Sequence, residues 1–146
     1  MSDCVRRVTI FEGVFAMLCS ASGIAGLAEG LDALKRQDFA AASKELRPLA
    51  DRGDAEAQYR VGLMYEFGKG FAVDMPRAIA WLGKSAAQGH VASQLELGVI
   101  YANGEGVPKN STKAVAWFRK AAMQGNATGQ YNLGLMYAKG TGDGLH

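Results

Sequence analysis

The stretch AEAQYRVGLMYEFGKG at residues 55–70 decides the fold, because it returns twice along the chain at a spacing of 36 residues. The second copy is VASQLELGVIYANGEG at 91–106, and the third is ATGQYNLGLMYAKGTG at 127–142. A glutamine, a glycine, a tyrosine and the two closing glycines keep their positions in all three copies. A fixed period of this length is typical of chains built from stacked structural units.

Each unit is predicted to be a pair of helices. In the first helix, Val61 and Tyr65 are four residues apart and therefore lie on one face. Gly68 is expected to end this helix, because glycine readily adopts the left-handed conformation of a helix C-cap. Asp74 then caps the second helix, with Pro76 in the first turn, where the missing N–H of proline costs little. The inward positions of the second helix repeat as well, as Ala78, Trp81, Leu82 and Ser85 and then as Ala114, Trp117, Phe118 and Ala121.

The same period extends towards the N-terminus. Asp38 is predicted to cap a helix that ends at Gly53, and a short helix over about 29–36 is predicted to complete the first pair. The fold class is therefore all-α, a superhelical solenoid of helix hairpins with a 36-residue repeat. Its predicted divisions are an N-terminal helix pair at 29–53, repeats at 54–89 and 90–125, a partial repeat at 126–142 and a tail at 143–146.

Residues 1–28 have the pattern of a secretory signal peptide. Arg6 and Arg7 precede an apolar-rich run that ends in small residues, and cleavage after Ala25 or Ala28 fits this pattern. Because Glu12 interrupts the run, a buried or partner-facing first helix is the alternative. The signal predicts a periplasmic or secreted protein, and the alternative predicts a cytoplasmic one. The run after Glu12 is short and rich in glycine, so no stable membrane span is expected.

Composition and motifs argue against several classes of function. The chain has 16 basic and 14 acidic residues, without a long basic block, so no nucleic-acid partner is expected. His90 and His146 lack cysteine partners, and the glycine pairs lack the strand and the Gly-Lys-Ser/Thr of a phosphate loop. No metal, cofactor or catalytic residue is therefore predicted. No nucleophile with a neighbouring base can be assembled from the sequence, so the chain is predicted not to be an enzyme.

The repeated motif resembles the Sel-one-like repeat, a relative of the tetratricopeptide repeat. The resemblance rests on Ala-x-Ala-Gln-x-x-Val-Gly-x-x-Tyr-x-x-Gly-x-Gly at 55–70 and Ala-x-x-Trp-x-x-x-x-Ala-x-x-Gly at 78–89. The second copy, with Gly-Glu-Gly-Val-Pro-Lys-Asn at 104–110, is closer to the family pattern. The resemblance covers roughly residues 30–142. It implies a right-handed superhelix of helix pairs that acts as an adaptor or scaffold.

Two places depart from the family pattern. Glu45 stands where the later units have Trp81 and Trp117, which puts the packing of the opening unit in question. Phe71-Ala72 stands where the second unit has Val107-Pro108, which affects only a loop.

The predicted function is the binding of a peptide or protein in a concave groove, which the first helix of each hairpin lines in a solenoid. A mostly apolar and aromatic groove with a few charges suits a peptide or helix ligand. For Leu63 and Val99, purely local packing is the alternative. By resemblance to tetratricopeptide proteins, the groove residues are Glu56, Tyr59, Leu63, Glu66, Phe67, Leu95, Val99, Asn103, Thr128, Tyr131, Leu135 and Lys139.

Other interpretations stay open. One is a small cell-envelope hydrolase, against which the lack of a nucleophile–base pair argues. Another is a truncated product of a larger repeat protein, because the third copy stops where a second helix would begin. Leu133 and Met136 are among the apolar residues of this last helix, and we expect the helix to be covered in use by a second copy of the chain, by the N-terminal segment or by the partner.

Overall fold

The computed structural model describes residues 12–140, with side chains from Ile24 onward. Within that range it consists of seven helices and contains no strand. Consecutive helices pack against each other, so that hairpins stack in chain order and form an all-α solenoid, as the sequence predicts. The helices are α1 (Glu12–Lys35), α2 (Phe39–Asp51), α3 (Ala55–Phe67), α4 (Met75–Ala87), α5 (Val91–Asn103), α6 (Ser111–Met123) and α7 (Ala127–Ala138).

The helix ends keep the 36-residue register. Gly68 and Gly104 end α3 and α5 in the left-handed conformation, with φ of 65° and 74°. These are the positions at which a residue with a Cβ atom would be strained. Each helix from α2 to α7 is preceded by a residue whose side chain accepts a hydrogen bond from the backbone N–H three residues later. These capping residues are Asp38, Asp54, Asp74, His90, Asn110 and Asn126. This confirms the predicted caps Asp38 and Asp74.

The tryptophans join neighbouring hairpins. Trp81 on α4 is buried in a cluster that includes Leu46 and Val61 from the two preceding helices. Trp117 on α6 packs, half-buried, on the next cluster, which contains Leu82 and Leu97. The same contact type therefore recurs from one hairpin to the next, as the sequence pattern predicts.

Glycines set the spacing inside each hairpin. A Cβ atom on Gly62 would lie 2.9 Å from Cγ of Leu82, and one on Gly98 would lie 2.4 Å from the ring of Phe118. Such distances are shorter than carbon–carbon contacts allow. The close approach of α3 to α4, and of α5 to α6, therefore depends on glycine at these two positions.

The first helix is longer than the sequence analysis predicts. Instead of a short helix over 29–36, a single helix runs from Glu12 to Lys35. Its Gly30 faces α2, where an added Cβ atom would meet Leu46 at 2.6 Å and Glu45 at 3.3 Å. The opening hairpin thus has the same close packing at a glycine as the later hairpins, and Glu45 lies beside this contact.

Part of the terminal predictions lies outside the described residues. The basic start of the predicted signal segment, residues 1–11, and the predicted tail, 143–146, are not described. In the described part of the chain, no helix combines the length and the apolar character that a membrane span needs.

Candidate interaction surface

The predicted groove residues lie on the first helices of the hairpins, α3, α5 and α7. Tyr59 and Leu63 are half-buried and pack on the core cluster between α4 and α5. Leu95 and Val99 are half-buried and pack in the same way on the following cluster. Local packing therefore accounts for part of the surface of these four side chains, and only the remainder is open to a ligand.

An apolar pocket of about 270 Å³ lies at the N-terminal end of this surface. It contains the predicted groove residues Leu63 and Phe67, and the Phe67 side chain is 59% exposed. Lys69 borders the pocket with its Nζ atom 5.4 Å from the centre of the Phe39 ring. The residues that line this apolar pocket are Leu34, Phe39, Arg60, Leu63, Met64, Phe67 and Lys69.

A second, smaller groove of about 160 Å³ lies between α5, α6 and α7. It brings together four of the predicted groove residues, Val99, Asn103, Leu135 and Lys139. Tyr131 is 67% exposed on α7 but does not line this groove. Thr128 is exposed near the start of the same helix. Six of the twelve predicted groove residues thus line two separate depressions rather than one continuous groove.

Glu56, His90 and Ser93 form a cluster of polar side chains that the sequence analysis did not foresee. Nε2 of His90 lies 2.9 Å from Oε2 of Glu56, and Nδ1 lies 3.0 Å from Oγ of Ser93. Residues 56 and 90 are far apart in sequence, and only the stacking of two hairpins brings them together. The statement that no Ser–His–acid arrangement can be assembled is therefore wrong as a matter of geometry.

In this cluster, the His90 side chain caps the start of α5. Nδ1 of His90 accepts the backbone N–H of Ser93, so the ring proton is on Nε2 and is donated to Glu56. Ser93 is completely buried, and its hydroxyl donates to Oγ of Ser85. Burial by itself raises the pKa of Glu56, but hydrogen bonds from His90 and Arg60 outweigh it and leave the pKa below its usual value. The buried hydroxyl offers no path to a substrate.

Three carboxylates lie close together where α3 meets the second repeat, and we call Glu66, Glu96 and Glu105 the acidic patch. Burial, and after it the charges of Glu96 and Glu105, raise the pKa of Glu66 from 4.5 to about 7. Burial and then the charge of Glu105 also raise the pKa of Glu96. Among the described residues, no member of the patch forms an ion pair, and Oε2 of Glu66 is enclosed without a hydrogen-bond partner.

Sequence reasoning identified only Glu66 of this patch. A signal for the other two was present in the repeat, because Glu96 occupies the position of Arg60 and Glu105 that of Lys69 in the preceding copy. The charge of the surface is therefore inverted from one repeat to the next. The positions mapped from tetratricopeptide proteins do not include these two residues, which is why they were missed.

Comparison with known proteins agrees with the architecture. The Sel1 repeat matches at residues 55–90, 91–126 and 127–145. None of the curated proteins matches the chain. The crystal structure of a Sel1 repeat protein from Oxalobacter formigenes is similar, with a TM-score of 0.73 and 34% identity over 81% of this chain and 35% of that one.

A second solved structure is a protective antigen present in uropathogenic Escherichia coli strains, which displays an SLR fold. It is 33% identical, with a TM-score of 0.78, over 89% of this chain and 29% of that protein. The present chain therefore spans about a third of the length of these two proteins. Three matched repeats and two similar structures lead to one conclusion: the chain belongs to the Sel1 repeat family.

Proposed function

We propose that this chain is a non-catalytic interaction module that binds a peptide or protein segment on the surface formed by α3, α5 and α7. Sel1 repeat proteins are generally protein-interaction modules. The observation that carries the proposal is the exposure of large apolar side chains on these helices, with Phe67 at 59%, Leu135 at 39% and Tyr131 at 67%. Exposed apolar surface on one set of helices is typical of an interaction site.

The second helices, α4 and α6, have lysine side chains over their tryptophans, which supports the choice of the first helices as the binding surface. On α4, Lys84 lies with its Nζ atom 4.5 Å from the centre of the Trp81 ring. On α6, Lys120 covers Trp117 in the same way at 4.6 Å. Lysine stems cover apolar rings while their ammonium groups stay in water. Lysine stems thus cover the tryptophan rings of the second helices, whereas Phe67 and Tyr131 on the first helices stay largely exposed.

The proposal is tested by capture of partners with matched variants. The double variant Phe67→Ser/Tyr131→Ser removes two exposed apolar side chains from the proposed surface. Met123→Ser is the control, because Met123 is 80% exposed but lies at the end of α6. We expect quantitative mass spectrometry to identify proteins from the native organism that bind the unmodified chain and Met123→Ser. The same proteins should not bind the double variant. Equal capture by all three forms would refute binding on this surface.

A small hydrolase is the competing function. The only described arrangement that resembles a catalytic triad is Glu56–His90–Ser93, and its hydroxyl is buried and hydrogen-bonded. We therefore attribute the arrangement to helix capping. Turnover of ester, β-lactam or glycan substrates by the purified chain, with loss of turnover in Ser93→Ala but unchanged folding, would overturn this assignment.

A further inference from the structure

The apolar pocket and the acidic patch both include a residue from the last turn of α3. Phe67, which lines the pocket, directly follows Glu66 at the end of α3. Glu96 lies on α5, and Glu105 lies in the loop after it, so the patch extends from the pocket towards the second repeat. A ligand segment that fills the pocket and continues along the solenoid towards the second repeat therefore passes the acidic patch.

The acidic patch lacks the compensation that carboxylates ordinarily have in a folded protein. Two of its members repel each other and are partly withdrawn from water, and the enclosed oxygen of Glu66 receives no hydrogen bond. An unpaired polar atom of this kind costs free energy in the folded chain. Glu105 accepts only the side-chain amide of Asn103, at 2.7 Å. In the described chain alone, the carboxylates of the acidic patch therefore have no cationic partner.

The nearby basic residues do not supply the missing donors. Arg60 donates to Glu56 at 2.6 Å. Lys69 lies over the ring of Phe39, on the pocket side of Phe67. Both cations are thus engaged away from the acidic patch.

We propose that the segment bound here is a basic, apolar peptide of a partner protein, with a bulky apolar side chain in the apolar pocket and Lys or Arg side chains against Glu66, Glu96 and Glu105. This inference rests on the proposed function and specifies its partner. Lys and Arg carry only donors and bring the positive charge that the three carboxylates lack. Charge complementarity of this kind selects among partners that have similar apolar anchors. An acidic peptide and an anionic membrane surface are repelled by the same patch.

Selection from a library of random peptides tests the chemistry of the partner directly. The immobilised full chain is one target, and three variants of it serve as separate targets in parallel selections. Glu66→Gln/Glu96→Gln removes two carboxyl groups of the patch, and Glu29→Gln/Glu45→Gln removes the same number on the first hairpin. Phe67→Ser removes an apolar side chain from the lining of the apolar pocket. We expect peptides from the unmodified chain and from Glu29→Gln/Glu45→Gln to be enriched in Lys and Arg next to an aromatic or aliphatic residue.

Calorimetry on the best selected peptide then measures the contribution of the patch. Glu66→Gln/Glu96→Gln is expected to weaken binding about tenfold or more, since a hydrogen bond to a charged group is lost. Binding to the unmodified chain is expected to weaken between about 50 mM and 500 mM salt, and binding to this variant much less. Glu29→Gln/Glu45→Gln should retain the original affinity.

The outcomes separate this inference from the proposed function. One contrary outcome is a set of peptides that depend on Phe67 but show no excess of Lys and Arg. Another is equal binding of the selected peptides to Glu66→Gln/Glu96→Gln. Either result would overturn the inference and leave the proposed interaction surface in place. Failure of the unmodified chain to enrich any peptide over Phe67→Ser would count against both.

Discussion

Gln58 connects two hairpins through both ends of its side-chain amide. Its Nε2 donates to the carbonyl of Ala50 at 3.2 Å, and its Oε1 accepts from Nε2 of Gln88 at 2.8 Å. Gln88 also donates to the carbonyl of Gly53. The set recurs one period later with Gln94 and its partners. Buried amides of this kind satisfy the carbonyls at helix ends that have no partner within the helix.

The first prediction concerns this amide pair. Gln94→Ala removes the donor to Ala86 and the acceptor for Gln124 at a buried position, so we expect a loss of about 1–3 kcal/mol in the free energy of unfolding. Urea denaturation measures it. Gln130→Ala is the matched control, because Gln130 has the same repeat position but is exposed. Equal effects of the two substitutions would show that the hydrogen bonds contribute nothing specific.

The second prediction concerns the pH dependence contributed by Glu66. Its pKa of about 7 in the folded chain lies above the value of 4.5 expected in the unfolded chain. The folded state therefore holds the proton more tightly, and ionisation of Glu66 costs stability as the pH rises from below 4.5 through 7. We expect Glu66→Gln to raise the stability near pH 8 by on the order of 1 kcal/mol, because solvent screens part of the effect.

The measurement is thermal unfolding of both forms between pH 5 and pH 8. The difference in stability between Glu66→Gln and the unmodified chain should be small near pH 5 and grow towards pH 8. Parallel curves would mean that Glu66 titrates alike in the folded and unfolded chain.

Residues with local roles were predicted from the sequence, and residues with distant partners were not. Asp74 caps a helix through an N–H three residues away, and Gly68 ends a helix through its own backbone, so both roles follow from short sequence patterns. The partner of Gln58 is 30 residues away. The acidic patch likewise forms between repeats. Such contacts depend on how one hairpin is placed on the next, which the periodicity does not specify in atomic detail.

At the level of the helices, the tryptophans of the second helices connect neighbouring hairpins. Trp81 is buried among residues of α2 and α3, whereas Trp117 is half-buried on the following cluster. We therefore expect Trp81→Ala to cost about 3–5 kcal/mol and Trp117→Ala to cost less. Chemical denaturation of the two variants gives the comparison. A larger loss for Trp117→Ala would contradict the ranking of the two interfaces.

Helix α7 carries the prediction of self-association. Tyr131 and Leu135 are its exposed apolar residues, whereas Met136 is buried in the last core cluster and Leu133 packs against it. The residues suited to a test are therefore Tyr131 and Leu135. If α7 mediates association, sedimentation of the unmodified chain should show a concentration-dependent increase that Tyr131→Lys/Leu135→Lys abolishes. A monomer at all concentrations would remove this prediction and leave the fold unaffected.

The helix boundaries show where sequence patterns suffice at this scale. The C-terminal ends of α3 and α5 were predicted, because Gly68 and the equivalent Gly104 mark them. The start of α1 was not, because its beginning at Glu12 has no comparable signal and the apolar run was interpreted as a signal segment. A helix and a signal segment have similar apolar composition, so composition cannot separate them.

For the whole molecule, the open question is where the mature chain begins if residues 1–28 are an export signal. The two predicted cleavage sites differ in what they remove from the fold. Cleavage after Ala25 leaves Gly26, which faces Leu49, and Leu27, which packs on the first core cluster. Cleavage after Ala28 removes both, whereas Ile24 and Ala25 are exposed and contribute little.

We therefore expect an exported chain to begin at Gly26, and the intact mass of the protein from the native cell envelope measures this. Two truncated forms provide the control. A chain that begins at Gly26 should unfold at the same denaturant concentration as the full chain. One that begins at Glu29 should lose roughly 1–2 kcal/mol, because the apolar surface of Leu27 no longer packs on the core. A mature mass that begins at Glu29 would contradict the choice of site, and an intact Met1 on a cytoplasmic protein would contradict export itself.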